Sequence, residues 1–164
     1  TSDDAIQAAA LRALELDVTP YMLGDLAGDA RELANEHASL AIDIAAGNGP
    51  IEPPCVILSG GETTVPVTGS GRGGRNGEYA LALAIALDGH ERISAIACDT
   101  DGVDGAGDNA GCYVFPNSLK RAPLDAQDMQ ANNDSYAFFD SLGDLVVTGP
   151  TRTNVNDFRA ILVR

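Results

Sequence analysis

Segments with a helical repeat of apolar residues alternate along the chain with short, continuous apolar runs. The clearest helix is predicted over residues 29–46, where apolar residues recur at three- and four-residue steps. The clearest runs are Cys55–Leu58, Ile93–Cys98 and Arg159–Val163, which are short enough for buried strands. This alternation predicts an α/β fold, a layered α/β/α domain with a mixed, mostly parallel sheet.

One antiparallel hairpin is expected within this sheet. Residues 55–58 and 64–68 both have strand character, and only a short Gly60-Gly61-Glu62 connection separates them. A parallel crossover needs a dozen or more residues, so the two strands are predicted to pair antiparallel. With 164 residues, residues 1–164 are expected to form one α/β domain, in which 1–50 are lead-in helices. The first helix has no strand before it, which predicts the trailing part of a longer protein.

Charge and cysteine content limit the partners and the compartment. The chain carries 24 acidic and 10 basic residues, a net charge of −14, which would repel nucleic acid and anionic membranes. No apolar run approaches the roughly 18 residues that span a bilayer. Cys55, Cys98 and Cys112 are dispersed, which indicates reduced thiols and a cytoplasmic location rather than a disulfide framework.

A glycine-rich segment, residues 69–76, precedes the helix predicted over 75–87. It contains GxGxxG, which permits a dinucleotide-binding interpretation, but the strand before it is assigned to a hairpin rather than to a βαβ unit. We favour an anion site built from helix N-terminal amides and the guanidiniums of Arg72 and Arg75. A flexible turn with solvated arginines is the alternative.

Two further polar segments follow predicted strands. Residues 99–108 contain four aspartates, including Asp101 and Asp104, whose oxygens suit Mg²⁺ or Ca²⁺; an acidic turn is the alternative. Residues 148–157 concentrate hydroxyl and amide side chains where open α/β sheets place ligands. Together with the glycine-rich segment, these two segments are expected to converge on one face of the sheet and to form an electropositive hollow in an otherwise anionic chain. Asn132–Ser135 has the composition of a cap for the next helix, and Glu62 is a candidate partner for an arginine of the glycine-rich segment.

Five segments of the chain occur in a recognisable order: SGGETT (59–64), GRGGRN (71–76), DTDGVDG (99–105), NNDSY (132–136) and TGPTRTNVND (148–157). In this order the chain resembles the glycerate 2-kinase family of the MOFRL domain, also labelled hydroxypyruvate reductases. The resemblance implies ATP-dependent phosphorylation of glycerate to 2-phosphoglycerate with Mg²⁺, in a cleft between two domains. It also implies that this chain is the C-terminal part, and that an N-terminal domain with a catalytic lysine is absent, so the isolated chain should be nearly inactive.

The resemblance assigns roles to residues of these segments. Arg75 and then Arg72 would hold the glycerate carboxylate or the γ-phosphoryl group, and Asp101 and Asp104 would hold Mg²⁺ directly or through water. The remaining expected substrate- or phosphate-binding residues are Gly73, Gly74, Asn76, Thr151, Thr153, Asn154, Asn156 and Asp157. Two positions depart from the family pattern, because Gly77 stands for the usual Gln and Arg152 for the usual Gly.

Three functions therefore remain open. The first is the kinase, with ATP, glycerate and the missing domain as partners and a homo-oligomer left open. The second is an NAD(P)H-dependent hydroxypyruvate reductase, which requires a parallel strand entering the glycine-rich segment. The third is a non-catalytic domain that binds a metal ion through the acidic segment.

Overall fold

A computed structural model describes residues 1–164 as six helices and eight strands. The helices are α1 Ser2–Glu15, α2 Ala30–Ala45, α3 Arg75–Leu87, α4 Ser118–Arg121, α5 Ala126–Ala131 and α6 Ser135–Leu142. The strands are β1 Thr19–Asp25, β2 Gly28–Asp29, β3 Cys55–Gly60, β4 Thr63–Thr64, β5 Ile93–Asp99, β6 Gly111–Val114, β7 Leu145–Val146 and β8 Asp157–Val163. None of the helices combines the length and apolar character that a bilayer span requires.

Local capping explains where the two longest helices begin. Thr1 caps α1 in a reciprocal arrangement with Asp4, whose backbone N–H donates to the Thr1 hydroxyl. Asp29 caps α2 by accepting hydrogen bonds from the backbone N–H groups of Arg31 and Glu32. Each cap satisfies donors that the first helical turn leaves unpaired.

The main sheet is mixed but mostly antiparallel, which corrects the expectation of a mostly parallel sheet. Its strand order is β1-β3-β8-β5-β6-β7, and only β1 and β3 run parallel. The last strand, β8, lies in the middle and pairs antiparallel with both β3 and β5. Strand composition indicates burial but not direction, so the insertion of β8 was not predictable from its apolar run.

The predicted hairpin is wrong. The strand predicted over 64–68 is reduced to β4, which pairs parallel with β2 in a separate two-stranded sheet. The physical reason is that β3 has no free edge, because β1 and β8 already occupy its two sides. Pro66 also lacks the backbone N–H that a continued ladder would need.

Helices flank both faces of the main sheet. Helices α2 and α3 pack together over one face, and that core includes Ile57 of β3 and Ile161 of β8. Helix α1 covers the opposite face, where Ile6 and Ala10 pack against Leu58. Burial alternates along β8, so Asp157 and Arg159 point toward the α2–α3 side together with Ile161. This alternation brings two charged side chains to the buried end of the sheet.

Candidate functional site

Three segments meet at one end of the sheet, as the sequence predicted. They are the glycine-rich loop (69–76), the acidic loop (99–108) and the terminal loop (148–157), and together they form what we term the three-loop site. Arg75 Nε donates to Asp157 Oδ2 at 2.7 Å, and Arg75 Nη2 donates to Asp99 Oδ2 at 2.9 Å. The Thr151 backbone N–H donates to the Asp101 carbonyl at 3.0 Å, which joins the other two loops.

Arg75 is the hub of this site, but its charge is already balanced by carboxylates. In addition to Asp99 and Asp157, Glu62 Oε1 lies 3.7 Å from Arg75 Nη2, which confirms the expected link to an arginine. Its hydrogen bond with Asp157 raises the pKa of Arg75 despite partial burial, so the side chain stays charged. The arginines therefore do not form an electropositive hollow, because three acidic groups lie within 4 Å of Arg75.

Asp104 holds the first turn of α3. Its Oδ1 accepts from the backbone N–H of Asn76 at 3.0 Å, and its Oδ2 accepts from that of Gly77 at 2.8 Å. The side chain is buried, and burial raises the pKa of Asp104 although these hydrogen bonds oppose the rise. Asp104 thus caps a helix from a distant loop, and the metal role expected for it stays a prediction.

Asn76 connects the acidic and terminal loops from inside the site. Its Nδ2 donates to Asp104 Oδ1 at 3.2 Å and to Asp157 Oδ1 at 3.0 Å, while its buried Oδ1 has no hydrogen-bond partner. The amide is therefore oriented by two carboxylates, and this orientation leaves an acceptor for a ligand or a water molecule.

The Asp101 carboxylate is more available to a ligand than that of Asp104. Its Oδ1 accepts from the Val103 backbone N–H at 2.8 Å, its Oδ2 has no hydrogen bond, and the residue is half-buried. No group of three or more His, Cys, Asp or Glu side chains is placed to hold a metal ion. One free carboxylate oxygen does suit Mg²⁺, which proteins often hold through one or two carboxylates together with substrate phosphates.

The glycine-rich loop is fixed by residues 132–134, which we term the asparagine clamp. Asn133 Oδ1 accepts from the backbone N–H groups of Thr68 and Gly69, at 2.8 and 2.9 Å. Asn132 Oδ1 accepts from the backbone N–H of Ser70, and Asp134 Oδ1 accepts from that of Arg72. Asp134 stands at the N-cap position of α6, as expected, but its side chain makes no capping hydrogen bond to that helix.

The clamp leaves three consecutive loop amides unpaired. The backbone N–H groups of Gly73, Gly74 and Arg75 have no hydrogen-bond partner and stand at the N-terminus of α3. A Cβ at Gly73 would overlap the Ser135 hydroxyl, and one at Gly74 would overlap the Asp104 carboxylate. Glycine is thus needed at these two positions to let the loop approach its neighbours, and the free amides suit an anionic oxygen.

Arg72 has different partners from Arg75. Its guanidinium carbon lies 3.9 Å from the centre of the Tyr136 ring, and its Nη2 lies 3.6 Å from Asp108 Oδ1. The Tyr136 hydroxyl donates to Asp108 at 2.8 Å, so the three side chains form an exposed cluster between the glycine-rich loop, the acidic loop and α6. The structure therefore does not place Arg72 against Arg75.

The terminal loop presents polar side chains to solvent. Thr151, Thr153 and Asn154 are exposed, whereas Asn156 is half-buried and Asp157 is buried. The backbone carbonyl of Asn156 accepts from the Thr100 hydroxyl at 2.8 Å, and the Thr100 hydroxyl accepts from the Val155 N–H at 2.9 Å. Thr100 thus joins the terminal loop to the acidic loop, and most side chains of the terminal loop remain exposed to solvent.

Sequence reasoning missed two buried charged groups behind the site. Glu78 on α3 accepts from Arg31 Nη2 at 3.0 Å and from Asn133 Nδ2 at 3.0 Å, which anchors the asparagine clamp to the helices. Arg159 on β8 is 1% exposed. The sequence did contain a sign of this burial, because Arg159 lies between two apolar residues in a predicted strand. It occupies one of the buried positions that alternate along β8.

The fold and the site define a mixed α/β domain with an arginine-centred, carboxylate-rich polar site at one end of the sheet. The sequence pattern of the MOFRL family matches residues 55–157, and the chain belongs to this family. It is 50% identical over 97% of its length to a protein from Agrobacterium vitis named "Putative hydroxypyruvate reductase", and 42% identical over 79% to the D-glycerate 2-kinase of Thermotoga maritima.

A solved structure agrees with these sequence relatives. The crystal structure of a glycerate kinase from Thermotoga maritima matches the whole chain with a TM-score of 0.96 and 36% identity. The chain covers 41% of that structure, and it covers 38% and 32% of the two relatives. It therefore spans well under half the length of the proteins that it resembles.

Proposed function

We propose that this chain contributes to an ATP-dependent glycerate 2-kinase, which transfers the γ-phosphoryl group of ATP to the 2-hydroxyl of glycerate. The observation that carries the proposal is the position of the Arg75 side chain. Its charged guanidinium is held by Asp99 and Asp157 beside three unpaired backbone amides. Phosphoryl transfer needs positioning and charge stabilisation more than covalent chemistry, and these groups can supply both. Relatives named glycerate 2-kinase support the choice of reaction.

The site residues would then divide into three groups. Arg75, with the amides of Gly73 and Gly74, would bind the glycerate carboxylate or the transferring phosphoryl group. The free Oδ1 of Asn76 would accept a hydrogen bond from the ligand. The terminal loop would bind the phosphate or substrate end through Thr151, Thr153, Asn154 and Asn156, with Asp157 fixing Arg75. Arg72, stacked on Tyr136, would contribute its charge from the rim of the glycine-rich loop.

Magnesium would enter this reaction with the nucleotide. Asp101 would hold the ion through its free carboxylate oxygen, and Asp104, whose oxygens accept hydrogen bonds from α3, would act through water. The ion would neutralise charge on the phosphates when bound. The residues of the chain would orient that complex, because Asp101 is fixed by Val103 and joined to Thr151.

The remaining expectations belong to the same proposal. The greater length of the relatives supports a second domain that completes the cleft and supplies the catalytic lysine, so the chain alone should have little activity. Cys55, Cys98 and Cys112 are free thiols, and a cytoplasmic location is part of the same proposal.

The name of the Agrobacterium vitis relative, "Putative hydroxypyruvate reductase", supports the reductase alternative. The topology does not favour it, because a dinucleotide-binding βαβ unit needs parallel strands on both sides of the glycine-rich loop. In this chain β5, which follows the loop and α3, pairs antiparallel with both β8 and β6. A two-residue strand, β4, precedes the loop, and it lies in another sheet.

Replacement of Arg75 tests the kinase directly. In the intact two-domain enzyme, Arg75→Ala should lower kcat for glycerate phosphorylation about a hundredfold or more, because one transition-state charge contact is lost. A coupled assay with ATP and glycerate measures this loss, and NADH with hydroxypyruvate tests the reductase in parallel. Arg12→Ala, which removes an exposed pair with Glu15, is the matched control. Unchanged turnover of the Arg75 variant would show that the assigned role is wrong.

A further inference from the structure

Arg159 is a charged side chain in the core directly behind the three-loop site. Its Nε donates to Ser59 Oγ at 3.1 Å, and its Nη2 donates to the carbonyls of Gly60 and Gly61. These groups form the turn that precedes Glu62, a neighbour of Arg75. A buried guanidinium is costly unless its donors are paired, so a fully buried arginine at this place needs a reason beyond packing.

One donor of Arg159 remains unused. Its Nη1 is buried without a hydrogen-bond partner and lies 3.8 Å from Asp157 Oδ2. The same oxygen accepts the hydrogen bond from Arg75 Nε at 2.7 Å. Two guanidiniums therefore approach one carboxylate oxygen, one of them bonded and the other just beyond hydrogen-bond distance.

Asp157 cannot turn to solvent when Arg75 leaves it, because its side chain is 0% exposed. If Arg75 turned toward an anionic oxygen of a ligand, Asp157 would keep only its bond from Asn76, and a buried, poorly paired charge would result. A movement of about 1 Å would bring Asp157 Oδ2 within hydrogen-bond distance of Arg159 Nη1.

We propose that Arg159 is a positioning residue whose free Nη1 becomes the partner of Asp157 when Arg75 binds an anionic oxygen of the ligand. This inference rests on the proposed function, because it requires Arg75 to engage an anion. It assigns Arg159 two tasks. Two of its nitrogens fix the turn beside Glu62, and the third compensates the charge of Asp157 during ligand binding.

A double-mutant cycle separates this role from a general structural one. The probe is inorganic pyrophosphate supplied with Mg²⁺, and its binding to the intact two-domain enzyme is measured by calorimetry. Arg159→Met should weaken binding about tenfold or more in the wild-type background but less than about threefold in the Asp157→Asn background, where no charge needs compensation. Arg159→Lys, which keeps the charge, should restore affinity to within about threefold of wild type. Arg12→Met should change nothing.

Equal losses in the two backgrounds would overturn the inference while leaving the proposed function intact. An intact wild-type enzyme that shows no saturable binding of pyrophosphate in the presence of Mg²⁺ would overturn both, because Arg75 would then lack the anion-binding role. If the Arg159 variants do not fold, arginine side-chain NMR of the intact wild-type enzyme decides the question. The Nη resonances of Arg159 should shift on saturation with pyrophosphate, and this shift should vanish in Asp157→Asn. A wild-type spectrum without the shift would refute the proposal.

Discussion

His37 shows how a residue type common in active sites can belong to the core. It lies on α2, is 4% exposed, and its Nδ1 lies 2.7 Å from the Tyr79 hydroxyl of α3. Its Nε2 has no hydrogen-bond partner. Burial lowers the pKa of His37 to about 4, with a smaller contribution from Arg159, so the ring is neutral in the folded protein.

This depressed pKa predicts a pH-dependent stability. An unfolded histidine takes up a proton near pH 6.5, whereas folded His37 does so only near pH 4, so the free energy of unfolding should fall as the pH drops between these values. The loss from this residue should be about 2 kcal/mol between pH 7 and pH 5. Urea unfolding of wild type and His37→Gln at both pH values measures it. Equal losses in the two proteins would show that another group is responsible.

Arg152 is informative through its backbone conformation. Its φ of 61° lies in the left-handed region, which costs a side chain about 1–2 kcal/mol and costs glycine almost nothing. Glycine, which the family resemblance leads us to expect at this position, would adopt this conformation without strain.

Arg152→Gly should therefore raise the free energy of unfolding by about 0.5–1 kcal/mol, after the greater flexibility of glycine in the unfolded state is subtracted. Arg152→Ala retains the strained φ and should give no such gain, so it is the matched control. Urea denaturation of the three proteins compares them. Equal stabilisation by both substitutions would mean that the guanidinium, and not the backbone, is the source of the cost.

At the level of elements, the asparagine clamp determines the shape of the glycine-rich loop. Asn133→Ala would leave the Thr68 and Gly69 amides and the buried Glu78 carboxylate short of partners, at a cost of about 3 kcal/mol. Amide exchange within residues 67–72 should become at least about tenfold faster, as hydrogen–deuterium exchange would show. Asn132→Ala removes only the acceptor for Ser70 and should cost about 1 kcal/mol. Unchanged exchange in the Asn133 variant would mean that the loop holds its shape without the clamp.

The sequence predicted most elements but not their pairing. Helix α3 begins at Arg75 and ends at Leu87 as expected, because a glycine-rich start and the Asp88-Gly89 end punctuate a strong apolar pattern. The direction of β8 and the partner of β4 depend on which strand edges remain free, and no local pattern encodes this. The prediction was therefore right that helices cover both faces of a mixed sheet, and wrong that most of its strands run parallel.

The candidate site divides in the same way. The meeting of three loops was predictable, because polar residues followed the strands at 99–108 and 148–157. Their charge balance was not, because the contacts of Arg75 with Asp99, Asp157 and Glu62 depend on side-chain directions across distant segments. The asparagine clamp was missed for a related reason, since Asn and Asp near a helix start usually cap that helix.

At the scale of the whole chain, the net charge of −14 means that the anionic substrate of the proposed function would approach these 164 residues against their overall field. The three-loop site does not reverse this field, because its carboxylates outnumber its guanidiniums. Glu62, Asp99, Asp104 and Asp157 contact Arg75 or the first turn of α3. A polyphosphate should therefore need a counterion of its own in order to bind.

Magnesium should accordingly govern nucleotide affinity. The dissociation constant for ATP, measured by calorimetry, should be at least about tenfold lower with Mg²⁺ than with EDTA, since the ion neutralises part of the phosphate charge. Asp101→Asn removes the carboxylate charge and should shrink this ratio severalfold, whereas Asp3→Asn, an exposed change on α1, should leave it unchanged. A higher salt concentration should reduce the difference between the ATP dissociation constants measured with Mg²⁺ and with EDTA, because screening weakens the repulsion between the phosphates and the carboxylates. Equal affinity for ATP in Mg²⁺ and EDTA would contradict a metal-assisted site, and an Asp101 variant that kept the full ratio would place the ion elsewhere.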